Sequence, residues 1–590
     1  MNDITSIDRP APPGTARPVT DLADDHVRRL AELDPILAGD LGWPQGQERL
    51  PDLSPDGTAA VVAVCRATLD WLAALPAPDD PDERRCARLL TERLGARIAH
   101  AESGEPLRDV QELFGPLATI RTAFTLMPVS DESCWATVAA RMGRVPEALD
   151  GYRASLAEGS RRGLFAASRQ VVRVTEQLDA WIADAGGRGW FAGFAGQAEV
   201  GAGVRADLDR NAAAAAAALH GLRDWLRAEY LPAADGTPDG VGADRYRIAS
   251  RFWNGADIDP AEVYDWGWSE FRRLHAEMAV EARRVLPGAG IREAMAFLDD
   301  DGGSTGVVEG GENARRYLQQ IMDDTIAELD GRHFDLSGRL RDVESRLAPT
   351  GSAAAPYYTP PSLDFSRPGR TWLPASPDDR YPLWDLISTW YHEGVPGHHL
   401  QLASWALRSS ELSTFQTSLV GAVSADVEGW ALYAERLMDE LGHHTDPGSR
   451  LGYLNAQMMR AVRVVIDLGM HLSLPIPADS PVGAGLRWTP ELGREFFGRH
   501  VGGGDALADS ELLRYLGGPG QAIGYKLGER AWLTGREQAR TAHLARGERF
   551  DLAAWHAAAL AQGTLGLDDL VPELAVLPAA RSGVADGTAP

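Results

Sequence analysis

Residues 391 to 401 read Tyr-His-Glu-Gly-Val-Pro-Gly-His-His-Leu-Gln, which puts three histidines and one glutamate within eight residues, His392 to His399. No packing demand explains that crowding in a chain holding only 14 histidines. A zinc ion does explain it. Neutral imidazoles and carboxylates are its ligands, and a free glutamate beside it can take a proton from a bound water.

The spacing is unusual for such a site. A metalloprotease helix carries His-Glu-x-x-His, with both histidines one turn apart on one face. Here Gly394-Val395-Pro396-Gly397 separates His392-Glu393 from His398-His399. Six residues of regular helix turn His398 about 120° away from His392. The pattern therefore requires an interrupted helix, and Pro396 and Gly397 are the residues that interrupt it. His399 is the competing second ligand. Seven residues bring it back to the His392 face, but about 10 Å further along the axis.

A third ligand is expected from another helix. Glu428-Gly429-Trp430-Ala431-Leu432-Tyr433-Ala434-Glu435 is the best source, because Glu428 and Glu435 lie seven apart and share a face. Glu428 is the expected ligand, and Glu435 the group that orients an imidazole from behind. Two histidines, one glutamate and a water make a four-coordinate catalytic site for one zinc ion.

Other groups complete the list. Arg463, Asp467 and His471 recur every four residues, so they line one helix face. They read either as an orienting network, with Asp467 and His471 behind the site, or as an ordinary salt-bridged stripe. In Pro519 to Gly528, Tyr525 either packs or donates to an oxyanion. Lys526 binds a substrate carboxylate or faces solvent. Gln521 bonds substrate or caps the turn. Arg367, ahead of the metal helix, is a further carboxylate ligand. His443-His444 read as a surface loop.

The surrounding elements read as helices. Apolar residues three and four apart recur in His26–Leu37, Thr58–Leu75, Asp82–Ala101, Val145–Glu158, Arg162–Ala185, Val204–Tyr230, Pro260–Val285 and Ala314–Leu329. Strand signals are confined to Val343–Leu347, Ala355–Tyr358 and Arg370–Leu373, just before the metal motif. Asp299–Gly311 reads as an exposed Gly-rich loop. The expected architecture is mostly α: one helical domain over residues 21–575, with two lobes around a deep central cleft and a small β element before the metal helix. Residues 1–20 and 576–590 read as disordered or flexible tails.

Composition narrows the partners. A formal charge of −26 repels phosphate backbones and anionic lipid, so neither nucleic acid nor membrane is expected. No uninterrupted apolar run reads as a bilayer span. The three cysteines include no CxxC pair, and the N-terminus has no secretory signature, so a cytoplasmic location is expected.

The ordered series His392 to Gln401, Glu428 to Glu435 and Pro519 to Gly528 resembles the bacterial proteins of domain of unknown function family 885. Tyr357-Tyr358, Arg367-Pro368-Gly369 and Arg463 to His471 add to it, and the likeness runs from about residue 25 to 570. These proteins are similar to zinc peptidases whose third ligand is glutamate, including helical carboxypeptidases and oligopeptidases. The resemblance implies a peptidase-like helical fold with a zinc site. The Pro/Gly-rich link Leu472–Arg487 departs from it, being longer than the usual connection.

The expected activity is hydrolysis of peptide or amide bonds in short peptides or small amino-acyl conjugates. Glu393 is the base, and Tyr525 or His399 holds the oxyanion. A metal-dependent elimination or isomerisation of a small metabolite uses the same residues. A binding protein on a peptidase scaffold is the third reading, opposed by the intact His392, Glu393 and Glu428.

Overall fold

The computed structural model describes residues 17–348, 355–376 and 378–579. Helix makes up 66% of the protein, which settles its class as mostly α. Several helix starts follow local chemistry: proline occupies the first turn and an Asp ahead of it accepts backbone N–H groups, as at Asp80, Asp259 and Asp446. Pro260–Val285 has the expected bounds. Val204–Tyr230 resolves into Ala202–Trp225 followed by a π-helical turn, Leu226–Tyr230.

The described residues bury their apolar side chains in two clusters. One gathers residues between Val110 and Ala234. The other takes the N-terminal helices and nearly everything from Tyr246 to Ala579. The tails expected at 1–20 and 576–590 lie mostly outside the described residues. Where they are described they are ordered: a helix begins at Pro18, and Ala579 is buried, its carbonyl accepting from Asp551 N at 2.9 Å. One helix, Pro55–Ala74, is long and apolar enough to cross a membrane by length and composition, which the sequence reading did not anticipate. Here its Val62, Cys65 and Thr68 are buried, and it packs on Pro18–Leu33 and Pro81–Glu102.

Five short strands introduce the metal motif. β1 (Val307–Glu309) pairs antiparallel with β5 (Arg380–Pro382). β2 (Val343–Leu347) runs parallel to β4 (Gly369–Leu373), and β3 (Tyr357–Thr359) flanks β4 antiparallel. β1 corrects the reading of Asp299–Gly311 as loop throughout. Its two valines favour a strand, but three residues in a Gly-rich segment are too short to announce one, and they are ordered by a partner over seventy positions away. β5 leads directly into the helix Leu383–Glu393.

That helix lies against two others, Ser424–Glu440 and Pro447–Leu472, and Ser424–Glu440 in turn packs on Gly524–Ala545. The last crossing is backbone to backbone. A Cβ at Gly429 would lie 2.4 Å from Gly528, and one at Gly528 would lie 1.8 Å from the Ala425 carbonyl oxygen. Gly429→Ala is therefore expected to destabilise the protein by about 2 kcal/mol through overpacking. A lower urea midpoint would register it; an unchanged midpoint would show that the crossing yields freely.

Candidate metal centre

Leu383–Glu393 ends at Gly394, and a second helix, His398–Leu407, starts after Gly397. The chain between them doubles back tightly: Gly397 N bonds Tyr391 O at 3.0 Å, and His399 N bonds Gly394 O at 3.1 Å. A Cβ at Gly397 would fall 2.0 Å from the His392 carbonyl oxygen, so only glycine fits. Trp430 clamps the break from the acidic helix, its indole N–H shared between Pro396 O at 2.9 Å and Gly397 O at 3.1 Å.

The break brings His392 and His398 face to edge, their ring centres 4.8 Å apart. His392, Glu393 and His398 offer ligand atoms within 4.8 Å of one another. Glu428 Oε2 lies 3.3 Å from His392 Nε2 and 3.5 Å from His398 Nε2. Glu428 Oε2 is buried without a well-aligned donor, an uncompensated acceptor that a cation would satisfy. Two imidazole nitrogens and a carboxylate oxygen aimed at one point fit zinc.

Support from behind is equally defined. His392 Nδ1 meets Glu435 Oε1 at 2.8 Å, and Glu435 Oε2 accepts from Ser388 Oγ at 2.6 Å. That contact fixes the imidazole so that Nε2 faces Glu428. Burial opposes the charged form of His392, but Glu428 and Glu435 outweigh it and raise the group to about 9 in the protein alone. Burial works against a charged Glu428 as well, yet its two histidine neighbours hold it well below the ordinary carboxyl value. Burial dominates at Glu393 and raises it, the direction that suits a general base.

His399 points elsewhere. Its Nδ1 faces the Tyr358 hydroxyl at 2.9 Å and its Nε2 the Leu340 carbonyl at 3.0 Å, and burial lowers it to about 4. Both nitrogens are thus engaged, which removes it as a ligand and as a direct oxyanion donor. Tyr525 is buried within electrostatic range of Glu428. Arg367 is half-buried near Tyr358, whose ring stacks 6.4 Å from His398.

Several expectations need correction. Lys526 is wholly buried and bonds Gln457 at 2.8 Å and Glu529, with Glu270 at 3.4 Å, so it is a packing cation rather than a substrate ligand. Gln521 accepts from Arg514 at 3.2 Å. His444 is buried against Tyr453 and bonds Ser449 at 2.9 Å, so it is not a surface residue. Leu472–Arg487 folds onto the helix Pro260–Val285, where Pro475 O accepts from Tyr264 Oη at 2.9 Å.

Asp467 and His471 serve a turn rather than the imidazoles. Asp467 Oδ2 accepts from Tyr246 Oη at 2.6 Å and from Gly520 N at 3.1 Å, and His471 Nε2 faces Tyr515 O at 3.0 Å. Burial raises Asp467 to about 7. A carboxyl raised on folding favours the native state at low pH, and that contribution falls between pH about 4 and 7 as the unfolded chain sheds its proton first. Asp467→Asn is therefore expected to stabilise the protein by a few kcal/mol at pH 8 and to have little effect at pH 4. Paired denaturation curves at the two pH values check the sign.

Trp430, which clamps the break, was missed by the sequence reading, although it lies within the Glu428 to Glu435 stretch singled out there.

A family model described as "Bacterial protein of unknown function (DUF885)" matches residues 35–574. The chain belongs to this family. No functionally curated protein matches it. Among solved structures, a "putative lipoprotein" from Colwellia psychrerythraea superposes with a TM-score of 0.81 at 22% identity, covering 94% of this chain and 98% of its own. A "putative lipoprotein of unknown function" from Shewanella oneidensis gives a TM-score of 0.71 at 17% identity, covering 95% and 100%. At these identities the likeness establishes the shared fold alone.

Proposed function

We propose that this DUF885 protein is a zinc-dependent hydrolase of peptide or amide bonds in short peptides or small amino-acyl conjugates. One observation carries the reading: Glu428 Oε2 sits between His392 Nε2 and His398 Nε2 with Glu393 alongside. That donor set is the one used by zinc peptidases whose third ligand is glutamate.

His392, His398 and Glu428 would hold the ion. When bound, it supplies Lewis acidity that polarises a carbonyl and acidifies water. Glu393 accepts a proton from the attacking water as the C–O bond forms, and then passes it to the amide nitrogen, so that the C–N bond breaks and the amine leaves. Tyr525 donates its hydroxyl hydrogen to the developing oxyanion. Glu435, anchored by Ser388, holds the His392 ring turned so that Nε2 faces Glu428.

The experiment is metal analysis of the purified protein joined to a screen of peptide pools and small amides. One bound zinc per chain with cleavage of a short substrate supports the reading. A zinc-loaded preparation that cleaves neither class would discard it in favour of non-hydrolytic chemistry. Compartment belongs to the same proposal. The free thiols Cys65 and Cys86 fit a reducing cytoplasm, whereas the "lipoprotein" descriptions of the fold relatives point to the envelope; cell fractionation separates the two.

A further inference from the structure

Three arginines surround the Tyr525 ring. The guanidinium carbons of Arg463, Arg514 and Arg460 lie 4.6, 5.9 and 6.0 Å from its centre. All three side chains are deeply buried, with exposures of 7%, 9% and 10%. Their compensation is incomplete. Two of them share one carboxylate, Glu511, with contacts of 2.8 Å to Arg463 and 3.0 Å to Arg514, and their other side-chain oxygen acceptors are neutral: Tyr515 Oη at 3.0 Å from Arg463 and Gln521 Oε1 at 3.2 Å from Arg514. Arg460 has the Ala456 carbonyl at 3.1 Å, and its nearest carboxylate is Glu435 at 4.0 Å, which is already committed to His392.

Each guanidinium also keeps a buried nitrogen without an acceptor among the described residues: Arg460 Nε, Arg463 Nη1 and Arg514 Nε. Buried cations left unpaired are costly, and buried donors are normally satisfied. The excess positive charge stands out further in a protein whose net charge is −26. It also lies against the metal centre. Arg460 acts electrostatically on Glu393, and Tyr525 feels both Glu428 and the three arginines.

We propose that Arg460, Arg463 and Arg514 form an anion subsite beside the His392–Glu428 centre, and that the substrate places a carboxylate there. Guanidinium forks match a planar carboxylate, and a partner of that charge satisfies the orphaned donors at once. This deepens the hydrolase reading and rests on it: the scissile bond lies close to a carboxylate, either the chain's own α-carboxylate or an acidic side chain.

The test uses the full-length, zinc-loaded protein and three probes: acetyl-alanyl-phenylalanine as free acid, its C-terminal amide, and the amide of acetyl-glutamyl-phenylalanine. One carboxylate-bearing probe is expected to exceed the neutral amide about 100-fold in kcat/KM, mostly through KM, and which one does so identifies the carboxylate's source. In Arg460→Gln that preference is expected to fall to a few-fold, and in Arg460→Lys to stand between. A preference is a ratio within one preparation, so loss of folded protein does not alter it. Equal cleavage of all three probes overturns the subsite and leaves the hydrolase standing. Should nothing be cleaved, calorimetry decides: binding of a carboxylate probe but not the neutral amide upholds the subsite without the hydrolase, and binding of none overturns it.

Discussion

Glu393→Gln is expected to lower hydrolysis of a short peptide substrate about 1,000-fold while leaving zinc content and melting temperature close to those of the parent. The amide fills the space of the carboxylate but cannot take a proton from water. Glu393 is buried beside His392 and His398, and burial raises its carboxyl above the ordinary range. A base placed that way abstracts a proton at neutral pH and still releases it to an amine. Retained zinc is essential to the result, because it separates a lost base from a lost ion. Unchanged turnover in a zinc-loaded Glu393→Gln protein would show that another group moves the proton, and the proposed roles would fall together.

Glu428→Ala is expected to abolish stoichiometric zinc binding and hydrolysis alike. His392 and His398 would remain, but two imidazoles alone hold zinc poorly, and the carboxylate oxygen that meets both Nε2 atoms would be gone. The parent protein should melt at a higher temperature when zinc is present in large excess over its dissociation constant, gaining about 4 kcal/mol at a thousandfold excess. The variant should show no such gain. Glu435→Gln is the informative contrast, because it removes only the group behind His392. It is expected to weaken zinc about 10- to 100-fold without eliminating the site. Metal titrations of the three proteins would order them; a Glu428→Ala protein that still binds one zinc tightly would refute the ligand set.

The helical architecture was legible because helix chemistry is local. Asp259 followed by Pro260 marks a start, and the apolar period carries to Val285, where the structure ends the helix. β2 and β4 were legible from their composition. β1 was not, since three residues in a Gly-rich segment become a strand only by pairing with Arg380–Pro382. The tail boundaries failed for a related reason: Pro18–Thr20 and Leu577–Ala579 have tail-like composition but neighbours that bury part of them.

The residue types and spacing alone pointed to His392, a second histidine and Glu428 as candidate ligands with Glu393 as the base beside them, and required Pro396 and Gly397 to interrupt the helix. Ligand preference is a property of side-chain chemistry, and phase along a helix follows from its pitch. Tertiary structure decided which histidine turns inward. After a break, direction depends on what clamps the turn, and here Trp430 holds it so that His398 meets Glu428 while Tyr358 and Leu340 take His399. It also decided the fate of the charges. Lys526 looked free in sequence and is neutralised by Glu529 and Glu270, whereas Arg460, Arg463 and Arg514 converge on Glu511 and on a Glu435 already committed to His392. Whether a buried charge is spent on the fold or left for a ligand depends on partners far away in the chain, and only the folded chain brings those together.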